Sequence, residues 1–172
     1  DSTAPTVTIS SPTSNDTYAT TLGTISLGGA SSDITSDIKS ISYDIAQSAV
    51  EDTLLSAGST PTNITISSVL MTVGTNDWSI PNISLSKGES VITVTATDNA
   101  GNTSTDSLTV TYTPITAPTV TTSTATSITQ TTAALNGSVN PNNGETTVYF
   151  EYGTASGSYP NTTSTQTLSG ST

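Results

Sequence analysis

Cysteine, histidine and arginine are all missing from this chain of 172 residues. Without cysteine there is no disulfide framework, no thiolate nucleophile and no thiolate metal site. Without histidine, Ser-His-Asp and Cys-His catalysis and histidine metal centres fall away; without arginine, so do guanidinium clamps. Bases of any kind are scarce, since Lys39 and Lys87 stand against 13 Asp and Glu, for a net charge of −11. Such a chain cannot neutralise phosphates, which argues against nucleic acid as a partner, and it has no basic cluster to draw it to anionic membranes. No apolar run approaches the ~18 residues of a membrane-crossing helix, so direct membrane insertion is not expected. Asp1 opens no signal-peptide pattern, and an exported protein would carry that signal outside these residues.

Apolar residues are also few, at 31%, and charged residues make up 9%, against about 45–50% and 25% in ordinary domains. Serine and threonine fill the difference. Disordered chains share low hydrophobicity but carry high charge and little β-branching. Threonine, valine and isoleucine dominate here, which favours strands. Apolar residues recur at period two: Val7 and Ile9; Ile25 and Leu27; Ile38, Ile41 and Tyr43; Ile64, Ile66, Val69 and Met71; Trp78, Ile80, Ile83 and Leu85; Ile92, Val94 and Ala96; Leu108, Val110 and Tyr112. Short alternating runs broken by Gly, Pro, Asn and Asp predict a β-sandwich. Only QSAVEDTLLSAG, residues 47–58, could make a turn or two of helix.

At TYTPITAPTV, Pro114 and Pro118 stiffen a connection and cannot donate to a ladder. The strand pattern then restarts, and in VYFEYGT the residues Val148, Phe150 and Tyr152 are expected on one face. This second stretch supplies about four strands, against roughly seven in a full sandwich.

The stretches APTVTISSP and NDWSIPNISLSKGESVITVTATDNAGNTSTDSLTVTY resemble the bacterial Ig-like domains of secreted and cell-surface proteins. The stretch PTVTTSTATSITQTTAALNGSVNPNNGETTVYFEYGT resembles bacterial fibronectin type III-like repeats. Together these imply an all-β chain of tandem sandwiches. An Ig-like domain would occupy residues 1–114 and a partial fibronectin III-like one residues 115–172, incomplete within this chain. The resemblance implies an extracellular or cell-surface location.

DNAGNTSTDSLT is not an EF-hand loop, because Gly101 is its fourth residue and no Glu closes it. Asp98, Asn99 and Gly101 suit a strand reversal, so a hairpin is expected. A calcium site using Asp98, Asn102 or Asp106 is the alternative. Asp33 and Asp37 could ligate a surface cation, yet read more simply as solvated loop acids, as do Glu51 and Asp52. None makes a convincing carboxylate pair for glycoside cleavage, so neither an enzyme nor a cofactor is expected. Trp78 alternates with Ile80 and is worth most inside a core, although an exposed indole would make a sugar platform. Tyr149 and Tyr159 are the better candidates for exposure. Sequons stand at Asn15, Asn63, Asn82, Asn102, Asn136 and Asn161, in a chain so rich in Ser and Thr that several arise by chance.

Sheet proteins usually guard exposed edges with lysine and other charges. This chain has little of either, and its second unit lacks strands. The expected function is therefore non-catalytic: a structural or spacer segment, packing into a stalk, sheath or filament. Neighbouring copies, further domains of the same protein, or glycans would cover the edges. The alternatives are a carbohydrate-binding accessory region of a secreted glycoside hydrolase and an adhesin segment.

Overall fold

The computed structural model describes residues 1–47, 64–66, 70–71 and 77–170. The candidate helical turn at 47–58, the acids Glu51 and Asp52 and the sequon at Asn63 lie outside the described residues, apart from Gln47. Every regular element described is a strand. The chain divides into two compact units, Asp1–Pro114 and Ile115–Thr172.

Unit 1 holds β1 (Thr6–Ser11), β2 (Thr17–Thr20), β3 (Thr24–Ser32), β4 (Ile38–Gln47) and β5 (Ile64–Ile66), followed by β6 (Leu70–Met71), β7 (Asp77–Ser84), β8 (Gly88–Asp98) and β9 (Thr103–Tyr112). They form two sheets, one ordered β1-β3-β7-β6 and the other β2-β9-β8-β4-β5. Alternation decides what lies inside. In β8 the residues Ile92, Val94 and Ala96 are wholly buried, while the threonines between them face outward. Leu27 and Ile80 from the first sheet and Leu108 and Val110 from the second complete the same core.

Trp78 belongs to that core at 3% exposure, so the sugar-platform alternative does not hold for it. Its place depends on Gly29, its pairing partner in β3. A Cβ at Gly29 would collide with the Trp78 ring and the Thr8 carbonyl oxygen. Gly29 is thus a vacancy filled by the indole.

Two expectations about strands need correction. The run from Ile64 to Met71 is not one strand: β5 pairs with β4 in one sheet, and β6 pairs with β7 in the other. Its apolar spacing breaks parity between Ile66 and Val69. The strand β2, absent from the expectation, pairs in parallel with β9, Thr17 opposite Thr109 and Thr20 opposite Tyr112. Its sequence TYAT is too short and polar to announce itself, and the ladder of β9 recruits it.

Unit 2 contains β10 (Thr119–Thr126), β11 (Ala134–Asn140), β12 (Thr146–Val148), β13 (Glu151–Tyr152), β14 (Asn161–Thr162) and β15 (Gln166–Leu168). They pair only two by two: β10 with β11, β12 with β15 and β13 with β14. VYFEYGT is divided between β12 and β13, with Tyr149 and Phe150 in neither strand. Val148 and Phe150 are half-buried, whereas Tyr152 is exposed.

Candidate functional site

The inward stripe of β8 does not stop at Ala96. It runs one step further to Asp98, whose side chain is 0% exposed. A carboxylate at the end of an apolar stripe needs partners, and the hairpin supplies them. The Asn102 N–H donates to Asp98 Oδ1 at 2.8 Å, and Asn102 Nδ2 donates to Oδ2 at 2.8 Å. Backbone bonds from Asp98 N to Asn102 O and from Gly101 N to Asp98 O close the turn. Gly101 takes a φ of 95°, which side-chain-bearing residues rarely adopt. The reversal between β8 and β9 is therefore a hairpin, as DNAGN predicts.

Asp98 also has acidic company. Asp1, Asp33 and Asp98 each bring a carboxylate oxygen to within 4.8 Å of the others. The three positions share a logic: Asp1 precedes β1, Asp33 follows β3, and Asp98 ends β8. Each continues the inward-facing series of its strand, odd-numbered in β1 and β3, marked by Pro5, Val7 and Ile9 and by Leu27 and Ser31, and even-numbered in β8, marked by Ile92 to Ala96. Since β1 and β3 lie in one sheet and β8 in the other, the cluster closes one end of the sandwich.

The loop after β3 folds around Asp33 Oδ1, which accepts from Ser36 N at 2.6 Å and Thr35 N at 2.8 Å. These bonds hold the Asp33 carboxyl below the ordinary carboxylate value, against burial and the nearby Asp98 charge. Burial also works against the charge on Asp98. Bonds from the Asn102 side chain and backbone, Gly101 and Ser36 outweigh it and keep that carboxyl low as well. The Thr35 hydroxyl bridges Asp33 Oδ1 and Asp1 Oδ2, at 3.1 and 2.5 Å. Asn102 Nδ2 reaches the Thr3 carbonyl at 3.0 Å, tying the segment before β1 to the hairpin.

The sequence candidates divide accordingly. Asp98 stands in the cluster with Asn102 as its hydrogen-bond donor, but Asp106 lies elsewhere, opposite Val94 in the β8–β9 ladder. Asp106 Oδ2 accepts the Ile9 N–H at 2.7 Å, linking β9 to β1 of the other sheet. Asp33 joins the cluster, whereas Asp37 contributes its backbone carbonyl to Asn99 N. Asp1 was not a sequence candidate. Its signal was parity with Pro5, Val7 and Ile9, legible only once β1 had been placed beside β3.

Among the sequons, Asn15, Asn82 and Asn161 are exposed. Asn102 and Asn136 are half-buried with committed amides, Asn136 Nδ2 donating to Thr124 O at 2.9 Å. Tyr149 and Tyr159 are exposed as expected, at 52% and 54%. They belong to a unit with an open apolar groove, lined by Val120, Ile128, Leu135, Val148 and Phe150 among others.

No family model matches the chain. No curated protein matches it either. Among solved structures, it is similar to CopC from Methylosinus trichosporium OB3b, with 11% identity and a TM-score of 0.40 over 63% of this chain and 95% of that one. At that score the similarity adds nothing to what the strands themselves show. The class defined by the structure is an all-β protein, with no helix among the described residues long and apolar enough to cross a membrane.

Proposed function

We propose that the chain is a non-catalytic structural segment of an extracellular surface protein. In this reading unit 1 is an Ig-like spacer. Unit 2 is a partial fibronectin III-like sandwich completed by strands of a neighbouring copy. The observation that carries the reading is the uncovered apolar face of unit 2. Val120 is 74% exposed and Ile128 70%, and no described residue of the unit is fully buried. Its three strand pairs leave free ladder edges, whose N–H and C=O groups need partners.

What covers this groove must offer backbone hydrogen bonds, alternate apolar side chains and little charge, because the groove lining is uncharged. The chain's own strands have that composition: TVTTSTAT and ALNGSVN carry no ionisable side chain. A second copy of unit 2 therefore fits as the missing layer, each copy supplying the other's second sheet.

Sedimentation equilibrium of residues 1–172 over a wide concentration range tests the idea. A concentration-dependent dimer or larger species is expected, dissociated by Val120→Asp or Ile128→Asp. A chain that stays monomeric throughout would overturn the assembly, as would association indifferent to both substitutions.

A further inference from the structure

We infer that Asn15 and Asn82 of unit 1 carry N-linked glycans. A sequon by itself is a weak signal in a chain so rich in serine and threonine. The fold adds two requirements. A glycan replaces one of the two Nδ2 protons, so the folded chain can carry it only where that amide is exposed and holds no partner. The hydroxyl two residues on completes the acceptor signal, and it too must be free.

Among the described sequons these requirements select two. Asn102 donates through Nδ2 to Asp98 and to Thr3, and Ser104 Oγ beyond it is shut off from solvent. Asn136 gives its Nδ2 to Thr124 O, Thr126 Oγ1 and Ala134 O. Asn161 Nδ2 holds the Tyr152 carbonyl, and the Thr163 hydroxyl accepts the Phe150 N–H at 2.9 Å. Asn15 and Asn82 are exposed, as are Thr17 and Ser84 two residues on. Both asparagines bond through the backbone alone among the described residues, Asn15 N donating to Thr13 Oγ1 and Asn82 N to Ser26 Oγ.

Local geometry points the same way. Between the pairs Ile25–Ile83 and Leu27–Ile80, Pro81 and Asn82 stand opposite Ser26 alone, so β7 bulges there. Asn82 takes a φ of 56°, and such bulges re-aim a side chain out of the ladder. Asn15 lies in the connection from β1 to β2, each the terminal strand of its sheet. Neither strand carries a charged side chain to guard its edge. A hydrophilic glycan beside them would supply that guard. In the transfer, Nδ2 forms a bond to the anomeric carbon of a lipid pyrophosphate-linked oligosaccharide. The bond from that carbon to the pyrophosphate breaks, the lipid pyrophosphate leaves, and Nδ2 gives up one proton. The inference rests on the extracellular reading, since exported chains meet such donors, but not on how unit 2 is covered.

The test is intact mass and glycopeptide mapping of the full chain purified from its native host. Glycans are expected on the peptides holding Asn15 and Asn82, and none on those holding Asn102, Asn136 or Asn161. Asn15→Gln and Asn82→Gln should each lower the mass by one glycan. Thr17→Ala and Ser84→Ala should do the same while keeping both asparagines, and Ser84→Ala leaves the backbone of Asn82 as it is. Bare asparagine at 15 and 82 would overturn the proposal, as would a glycan on Asn102, Asn136 or Asn161 of the folded chain. Unchanged mass in Thr17→Ala and Ser84→Ala would overturn it too. The place where a bare chain is found separates the two readings. At the cell surface only the glycans fall; inside the cell the extracellular reading falls with them.

Discussion

Units 1 and 2 are written in the same vocabulary of threonine, serine and valine, yet only one encloses a core. In unit 1 two sheets face each other, and Leu27, Ile80, Ile92, Val94, Leu108 and Val110 are at most 2% exposed. In unit 2 the strands form three separate pairs, and Val120, Ile128 and Leu135 remain open to solvent. Alternation is enough to make a strand pair with one apolar face. It stabilises a fold only when a second apolar layer removes that face from water, at roughly 25 cal/mol per Å². The contrast locates unit 1's stability in its own core, while unit 2 leaves its apolar face in water.

The sharpest way to break this comparison is to cut matched apolar side chains in each unit. Ile92→Ala should cost about 2–5 kcal/mol, because it leaves a cavity among fixed neighbours. Urea denaturation of unit 1, read by Trp78 fluorescence, measures it. Next in size is the tie between the sheets. Asp106→Ala removes the acceptor of the Ile9 N–H and should cost about 1.5–3 kcal/mol, as a lost bond to a charged group does. The same urea denaturation measures it. The smallest effect belongs to unit 2. Val120→Ala in the dilute chain should change stability by less than about 0.5 kcal/mol, as surface substitutions do. A cost at Val120 near that at Ile92 would mean that unit 2 buries a core of its own.

Much of unit 1 was legible in advance because period-two alternation both makes strands and selects their inner faces. Ile92, Val94, Ala96, Leu108 and Val110 were readable one by one, and the DNAGN reversal followed from turn chemistry. Where local preference and ladder geometry part company, legibility ended. The strand β2 exists through its pairing with β9, and the Ile64–Met71 run divides because two sheets each take a piece. Trp78 looked internal, but nothing in the sequence says that the space for it is the missing side chain of Gly29.

The acidic cluster was half visible. Asp98 stood out within a turn motif, and Asn102 was named beside it. Asp106 was read as a companion because sequence proximity was the only guide available. The strand ladder instead carries Asp106 to β1, on other duties, while Asp33 and Asp1 arrive from far away in the chain.

By itself, the sequence determined that this protein is built of strands, that it lacks thiol, imidazole and guanidinium chemistry, and which side of each long strand faces inward. These are local consequences of residue type and period. Only the tertiary structure decided which stripe ends meet. That Asp1, Asp33 and Asp98 come together at a sandwich end depends on the order and register of β1, β3 and β8. That order is set by the packing of two sheets, a property that no single segment contains.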